Sequence, residues 1–276
     1  MEFQFTKMHG LGNDFVVIDA ISQSIDLSAE QIRAISDRHF GVGCDQLLLV
    51  EKPTDTRAEF RYRIFNADGI EVEQCGNGAR CFAMFVRQQA LTTSDIIPVE
   101  TAGGLIELKV DGDLVTVDMG VPSFDPQSLP FDVEKQAETY ELMVNGVEYA
   151  IGAVSVGNPH AVMIVDDVEM IDLEVLGKAI ESHKSFPKRV NAGFMQIIND
   201  DEIRLRVYER GVGETQACGT GACAAVAVGR KLGRLNEQVT AKLHGGNLTI
   251  NWPGEGQALL MKGPATTVFQ GQFNCD

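Results

Sequence analysis

The chain carries an internal repeat, and this feature constrains the fold more than any other. Five short landmarks of the first half recur in the second half, in the same order, at offsets of 142 to 145 residues. That period is far longer than the roughly 20–50 residues of a solenoid repeat. The repeat therefore predicts two similar halves related by a pseudo-twofold axis. The landmarks are Gly12–Val17 with Gly157–Val162, Ser28 with Asp172, Tyr62–Asn66 with Leu205–Glu209, Cys75–Ala79 with Cys218–Ala222, and Gly103–Gly104 with Gly245–Gly246.

Both halves follow the same predicted order of elements: early strands, a helix, two strands, a cysteine motif and a second helix. Ser28 and Asp172 are predicted to cap the first helix of each half, and Gln31 is placed to complete a capping box. The second helices, near 79–90 and 222–228, are apolar on most faces, so we expect them to be buried on most faces. The predicted fold class is α+β. It comprises two pseudo-symmetric domains from an internal duplication, each a curved mixed or antiparallel sheet wrapped around a central buried helix.

The composition is that of a globular protein with an acidic surface. The chain has 276 residues, of which 44% are hydrophobic and 22% charged, and its net charge is -16. Such a surface repels phosphate groups, so nucleic acid and anionic membranes are poor partners. No secretory signal and no apolar run of membrane-spanning length is visible. Six cysteines in so long a chain are not a disulfide framework, so we expect free thiols in the cytoplasm.

Two of these cysteines, Cys75 and Cys218, directly precede a Gly-x-Gly turn that runs into a buried helix. The positive end of a helix dipole favours a thiolate and lowers the pKa of a thiol. Free backbone amides at a helix start also bind a carboxylate well. We therefore expect both cysteines to be catalytic and to face each other across an amino-acid α-carbon. The other four, Cys44, Cys81, Cys223 and Cys275, are expected to be buried structural thiols.

This arrangement is typical of two-base proton transfer. One thiolate would remove the α-proton from one face, and the other thiol would return a proton to the opposite face. The helix starts would stabilise the negative charge that develops on the carboxylate. The pattern predicts a cofactor-independent amino-acid racemase or epimerase.

A metal site and a nucleotide site are the competing interpretations of the cysteine and glycine motifs. Cys75 and Cys81, like Cys218 and Cys223, are spaced so that their side chains point to different helix faces, which is a poor metal clamp. Gly76–Gly78 lacks the third glycine and the acidic partner of a dinucleotide fingerprint. We expect neither a metal nor a cofactor.

Five motifs, spread over both halves, have a specific combination of residues: Gly10–Phe15, Glu73–Arg80, Gly157–His160, Glu209–Gly211 and Ala217–Gly221. Together they resemble the diaminopimelate epimerase family, and the resemblance covers essentially the whole chain. It implies an isomerase that interconverts LL- and meso-2,6-diaminopimelate without pyridoxal phosphate, a step in lysine and peptidoglycan precursor biosynthesis.

The resemblance also implies which positions contact substrate. His160 and Glu209 match positions that tune the pKa values of the two cysteines. A substrate with an amino-acid group at each end needs a distal anchor, for which neutral amides and one arginine are suitable. The substrate-binding positions implied are Asn13, Gln46, Asn66, Gly76, Asn77, Asn158, Asn191, Glu209, Arg210, Gly219 and Thr220.

The repeat and the resemblance together divide the chain. Residues 1–118 are predicted to form an N-terminal domain, to which residues 266–276 return, and residues 119–265 a C-terminal domain. The active site is expected in the cleft between them. The resemblance points to a homodimer with Phe269 at its interface, although Phe269 could instead pack on its own domain.

Three alternative functions stay open. A proline or hydroxyproline racemase would share the two cysteines, but it needs no anchor for a distal amino-acid group. An isomerase of the phenazine-biosynthesis type would share the duplication but lacks the cysteine pair. A non-catalytic amino-acid-binding protein would explain the anchors but not two activated thiols.

Overall fold

The computed structural model describes residues 2–72 and 75–275 of the chain. The chain divides into two compact units, Met1–Asp118 with Lys262–Asp276, and Met119–Met261. The C-terminal return thus begins at Lys262, where the sequence led us to expect residue 266. Glu73 and Gln74, which belong to the first cysteine motif, lie outside the described residues.

The first unit contains strands β1 to β8 and helices α1 and α2. Helix α1 spans Ala29–Ser36 and begins with the predicted capping box, in which Ser28 and Gln31 each accept a backbone amide of the other. Helix α2 spans Gly76–Gln88. The strands are β1 (Glu2–Gly10), β2 (Asn13–Asp19), β3 (Gln46–Glu51), β4 (Phe60–Asn66), β5 (Glu71–Val72), β6 (Ile96–Thr101), β7 (Gly104–Asp111) and β8 (Leu114–Asp118).

The second unit contains strands β9 to β16 and helices α3 and α4. The helix predicted from Leu173 begins as a π-helical turn, Leu173–Gly177, capped by Asp172, and continues as α3, Lys178–Glu181. Helix α4 spans Gly219–Lys231. The strands are β9 (Tyr140–Val144), β10 (Val147–Ser155), β11 (Pro159–Ile164), β12 (Asn191–Asn199), β13 (Glu202–Glu209), β14 (Gly213–Glu214), β15 (Gln238–Leu243) and β16 (Gly246–Asn251). Strands β17 (Leu260–Pro264) and β18 (Thr266–Asn274) complete the chain.

Both units pair their strands in the same order and sense. In the first unit β1–β2 is antiparallel, β2–β3 parallel, β3–β4 antiparallel and β4–β6 parallel. In the second unit β10–β11, β11–β12, β12–β13 and β13–β15 repeat that series. The shared pairing order is consistent with the duplication indicated by the sequence.

Strand β2 of the first unit is buried on both faces. Val16 and Ile18 of β2 belong to one core cluster with Ile32 and Ile35 of α1. Phe15 lies on the opposite face, because its ring approaches Gly78 of α2. Side chains alternate between the faces of a strand, so the continuous apolar run of β2 packs against α1 on one face and against α2 on the other.

Each sheet surrounds one buried helix. Helix α2 contacts strands β1, β2, β3, β7 and β8, and helix α4 contacts β10 to β13 together with β15 and β16. At the first turn of each helix a glycine permits this close approach. A Cβ at Gly78 would lie 2.6 Å from Tyr62 Oη, and one at Gly221 would lie 2.8 Å from Val207 Cγ2. The predicted fold class, with sheet-dominated units and central buried helices, is confirmed. None of the helices among the described residues is long and apolar enough to cross a membrane.

Candidate active site

Each cysteine of the predicted pair stands at the N-cap of a central helix. Cys75 precedes α2 with φ -140° and ψ 121°, and Cys218 precedes α4 with φ -103° and ψ 105°. This extended backbone is usual for an N-cap, and at Cys218 it turns the side chain toward the amides of the first helical turn. Gly221 N donates to Cys218 Sγ over 3.4 Å. The first amides of a helix have no partner within it, so each helix start is suited to an anionic group.

In the first unit, Cys75 lies beside two of the predicted binding residues. Its Sγ is 3.8 Å from Asn13 Oδ1, to which it donates. Asn77 Nδ2 donates to the same oxygen over 3.2 Å. Asn13 begins β2, and Asn77 belongs to the first turn of α2. The contact between β2 and α2 therefore brings these three residues together.

Gln46 and Asn66 form a second polar pair in the same unit. They are opposite each other in the register of β3 and β4, and Gln46 Nε2 donates to Asn66 Oδ1 over 2.8 Å. The neighbouring strand places Phe15 next to Gln46. Gln46 begins β3 and Asn66 ends β4, so both amides lie at the same end of these strands as Asn13, which begins β2.

In the second unit, a chain of polar contacts leads to Cys218. His160 Nε2 lies 2.9 Å from Asn158 Oδ1, and Asn158 Nδ2 donates to Thr220 Oγ1 over 3.3 Å. Thr220 Oγ1 lies 3.6 Å from Cys218 Sγ. The four residues come from the start of β11 and the start of α4. They form a continuous link from a buried imidazole to the thiol.

Glu209 is the acidic group that influences the pKa of Cys218. Its Oε1 accepts from Thr215 Oγ1 over 2.5 Å. Burial, the charge of Glu209 and a hydrogen bond to Glu209 raise the pKa of Cys218 well above its ordinary value, although Thr220 and the Gly221 amide oppose the shift. The sequence-based expectation of a lowered pKa is therefore wrong for Cys218. A buried sulfur beside a carboxylate disfavours the thiolate more than one helix start favours it.

His160 is fully buried and neutral. Burial, assisted by the positive charge of Arg210, lowers the pKa of His160 to about 3. A neutral imidazole whose Nε2–H donates to Asn158 leaves Nδ1 as an acceptor. Nδ1 has no hydrogen-bond partner among the described residues.

Asn191 and Arg210 meet at the end of β13. Asn191 is buried; its Nδ2 donates to Pro159 O over 3.0 Å, and its Oδ1 accepts from Arg210 N over 2.9 Å. The next amide, Gly211 N, donates to buried Glu181 over 3.0 Å. The turn that carries Glu209 and Arg210 is thus held by two buried side chains.

The four remaining cysteines are buried, as expected of structural thiols. Burial raises the pKa of Cys81 to about 12 and also raises the pKa of Cys44. Within residues 2–72 and 75–275, no three His, Cys, Asp or Glu side chains are grouped as metal ligands.

The structure distributes the predicted site residues between the units. The first unit holds Asn13, Gln46, Asn66, Cys75, Gly76 and Asn77, and the second holds Asn158, His160, Asn191, Glu209, Arg210, Cys218, Gly219 and Thr220. Gly76 and Gly219 are the first residues of α2 and α4. Each set combines a cysteine, a helix start and carboxamide side chains. Such a set can bind a carboxylate and exchange a proton beside it.

Asp45 and Thr215 contact side chains of these sets and were missed by the sequence analysis. Asp45 accepts from Asn13 Nδ2 over 2.9 Å, and Thr215 donates to Glu209. The available signals were weak, since Asp45 directly precedes Gln46 and Thr215 lies just before the second cysteine motif. A polar residue at such a position is usually a turn or cap residue.

Comparison with known proteins identifies a family. A sequence model described as diaminopimelate epimerase matches residues 5–124 and 152–268. Among curated proteins, diaminopimelate epimerase of Thioalkalivibrio sulfidiphilus is 61% identical over 277 residues, which cover 99% of this chain and all of that protein.

Solved structures show the same fold at low sequence identity. A hydroxyproline epimerase from Agrobacterium vitis is 16% identical, with a TM-score of 0.71 over 98% of this chain and 92% of its own. A phenazine biosynthesis protein of the PhzF family from Bacillus anthracis is 15% identical, with a TM-score of 0.70 over 99% of both chains. These likenesses concern the fold alone.

Proposed function

The chain belongs to the diaminopimelate epimerase family, and from this premise we propose that it interconverts LL- and meso-2,6-diaminopimelate by inverting one α-carbon without a cofactor. The observation that carries the proposal is the pair of cysteines, Cys75 and Cys218, at similarly built helix starts. Among the alternatives, a proline or hydroxyproline racemase explains the thiols equally well. It leaves the additional amides and Arg210 without a role.

The proposed reaction is a two-base proton transfer. One cysteine, as the thiolate, takes the α-proton from one face of the carbon. The electron pair of the broken C–H bond moves into the carboxylate to give an enediolate. It returns to the carbon as the other cysteine, as the thiol, gives its proton to the opposite face. The first cysteine ends as a thiol and the second as a thiolate, so protons and charge balance. The mechanism requires the two sulfurs to reach opposite faces of one carbon.

Stabilisation of the enediolate is assigned to the helix starts. Backbone amides there are oriented before the reaction and need no reorganisation when charge develops on the carboxylate. Exclusion of water would strengthen their field, because a lower dielectric screens charge less. The amides proposed to bind the carboxylate are those of Gly76, Asn77, Gly219 and Thr220.

Glu209 is proposed to hold and remove the proton of Cys218. The raised pKa of Cys218 makes the thiol the resting form, and Glu209 is its hydrogen-bonded acceptor. Thr215 fixes the Glu209 carboxylate, because its hydroxyl donates to Glu209 Oε1 over 2.5 Å. His160, neutral and buried, is proposed as the second tuning group, with Nδ1 as its acceptor.

The distal amino-acid group is proposed to bind neutral amides and one guanidinium. Arg210 can bind a carboxylate with two parallel hydrogen bonds. Asn191 fixes the backbone of Arg210 and so limits where that side chain can reach. The amides in this set are Asn66, Asn158 and Asn191, while Asn13 and Gln46 are assigned to the group that reacts.

A cytoplasmic homodimer completes the proposal. Phe269 is 47% exposed and Val268 is 55% exposed on β18, so the two present apolar surface. The ring of Phe269 also meets Phe5 of its own unit, with centroids 5.9 Å apart. An apolar pair of this kind gains from burial against a second copy.

The function is tested by a substrate panel with cysteine variants. Purified protein is incubated with LL-diaminopimelate, L-proline or trans-4-hydroxy-L-proline, and the products are separated by chiral chromatography. We expect conversion of diaminopimelate alone. Cys75→Ser and Cys218→Ser should each lower turnover roughly 10²–10⁴-fold, the usual contribution of a general acid or base. Cys275→Ser, outside both site sets, is the matched control. Conversion of proline but not of diaminopimelate would refute the proposal.

A further inference from the structure

We propose that Asp45 is a positioning residue for Cys75, because it holds the carboxamide of Asn13 with its oxygen, rather than its NH₂ group, toward the thiol. The inference rests on the proposed function in one respect, namely that Cys75 is an acid–base group. Asp45 itself is not expected to contact the substrate, and it acts only through Asn13.

The contacts of Asp45 fix which way the Asn13 carboxamide points. Asp45 Oδ2 accepts from Asn13 Nδ2 over 2.9 Å and from Asp14 N over 3.0 Å. An ionised carboxylate can only accept, so Asn13 must present its NH₂ group to Asp45. Asn13 Oδ1 is then left to face Asn77 Nδ2 at 3.2 Å and Cys75 Sγ at 3.8 Å.

Asp45 is itself held in place by its neighbours. Arg38 donates to Asp45 Oδ1 over 2.7 Å and to both carboxylate oxygens of Asp14 over 2.8 and 2.9 Å. Asp45 N donates to Asp14 Oδ1 over 2.9 Å, which reciprocates the bond from Asp14 N to Asp45. Lys7 also donates to Asp14 over 2.6 Å. We call this cluster of Lys7, Asp14, Arg38 and Asp45 the clasp. It joins the starts of β2 and β3, the strands that begin with Asn13 and Gln46.

The ion pair between Arg38 and Asp45 contributes orientation more than stability. The Arg38 and Asp45 side chains are 55% and 42% exposed, and ion pairs at that exposure are worth little. Although burial opposes it, hydrogen bonds from Arg38 and Lys7 hold the pKa of Asp14 below its usual range. Asp14 therefore stays charged across the pH range in which thiols titrate.

The second unit lacks this device, and its equivalent carboxamide points the other way. Phe15 pairs with Gln46 in β2 and β3, as His160 pairs with Asn191 in β11 and β12. Asp45 therefore corresponds to an apolar residue, Val190. There Asn158 Oδ1 faces His160, and Asn158 Nδ2 faces Thr220 on the side of the cysteine.

The orientation of Asn13 has a chemical consequence. A carbonyl oxygen beside Cys75 accepts from the S–H group and so favours the protonated thiol, whereas an NH₂ group there would donate to the sulfur and favour the thiolate. The first unit thus places an acceptor next to its cysteine, while the second places an NH₂ group next to Thr220. Asp45 sets this difference between the two halves.

A double-mutant cycle tests the proposal without substrate. Wild type, Asp45→Ala, Asn13→Ala and the double variant are alkylated with iodoacetamide across pH, and Cys75 modification is located by peptide mass mapping. In Asp45→Ala the freed carboxamide can rotate, so the pH midpoint of Cys75 alkylation should fall by about half a unit to one unit, the size of one hydrogen bond. In the Asn13→Ala background, Asp45→Ala should produce no further shift.

Internal and alternative readouts separate positioning from other effects. The midpoint of Cys218 alkylation in the same samples should not move, since Asp45 acts through Asn13, whose carboxamide contacts Cys75. If Asp45→Ala does not fold, Asp45→Asn replaces it, with a shift in the same direction, because an amide can donate as well as accept. Equal shifts with and without Asn13 would show a through-space charge effect and overturn the proposal, as would no shift in either background.

The outcome is independent of the substrate assignment. If diaminopimelate is not epimerised but the cycle shows the expected coupling, the proposed function falls and the role of Asp45 stands. If both cysteine variants abolish epimerisation but the cycle shows no coupling, the role of Asp45 falls alone.

Discussion

At the scale of single residues, Cys218 shows how opposing influences set the protonation of one thiol. Burial withdraws the water that would solvate a thiolate, and the charge of Glu209 repels it. The Gly221 amide donates to the sulfur, the Thr220 hydroxyl lies 3.6 Å from it, and both contacts act in the other direction. The two raising influences prevail, so this cysteine rests as a thiol beside a carboxylate that can take its proton.

Glu209→Gln tests this balance. The substitution removes a charge that raises the pKa of Cys218, so the pKa should fall and the pH midpoint of Cys218 alkylation should move to lower pH. Epimerisation should nevertheless drop roughly 10²–10⁴-fold, because an amide cannot accept the proton. Alkylation is followed by mass spectrometry, with Cys75 of the other unit as the internal control.

The direction of that shift is decisive. If the midpoint for Cys218 stayed in place or moved to higher pH, Glu209 would not act on this thiol. A variant that kept full epimerase activity would remove Glu209 from the proton path.

At the scale of elements, the first turns of α2 and α4 depend on glycine for space rather than for backbone freedom. A Cβ at Gly78 would lie 2.6 Å from Tyr62 Oη and 3.2 Å from the ring of Phe15. Tyr62 is itself buried, and its hydroxyl lies 3.4 Å from Cys75 O. The close packing of Tyr62 against Gly78 therefore also positions Cys75, the residue that precedes α2.

Gly78→Ala should destabilise the protein. Forcing a methyl group into a filled core costs about 1–3 kcal/mol. In a protein of this size that lowers the melting temperature by roughly 2–4 °C per kcal/mol. Differential scanning calorimetry against Gly193→Ala provides the control, because a Cβ at Gly193 would meet nothing nearer than 3.7 Å. Equal melting temperatures for both variants would contradict the close packing of α2.

The order of elements could be predicted from the sequence because it depends on local patterns. Ser28 and Gln31 form the expected capping box, and both cysteines precede the helices expected to follow them. The contacts of Asp45 and Thr215 could not be predicted in this way. They join residues brought together by strand register and turn geometry, which leave no periodic signal in the chain. The raised pKa of Cys218 escaped prediction for the same reason, since it depends on burial and on a carboxylate supplied by a different strand.

At the scale of the whole molecule, the proposed homodimer rests on exposed apolar side chains of β18. Phe269→Glu should reduce self-association, because a charge at a buried interface loses its hydration without gaining a partner. Sedimentation velocity of the variant and its parent measures the effect, and Gln270→Glu, at a neighbouring exposed position, is the matched control. A parent that sediments as a monomer at all concentrations would reject the dimer.

The central claim is that two different groups act on the two faces of one carbon, and an isotope experiment tests it most directly. A thiol carries a single proton, so the cysteine that removes the substrate proton holds that same proton and returns it if the carbanion reverts. The product instead takes its proton from the other cysteine, which has equilibrated with solvent.

LL-diaminopimelate is therefore converted in heavy water, the reaction is stopped early, and the deuterium content of each stereoisomer is measured by mass spectrometry after chiral separation. The two-cysteine mechanism predicts deuterium at the inverted carbon of the meso product and almost none in the remaining LL substrate. Recovered LL substrate that gains deuterium as fast as product forms would mean that a single base serves both faces, and the account would be contradicted.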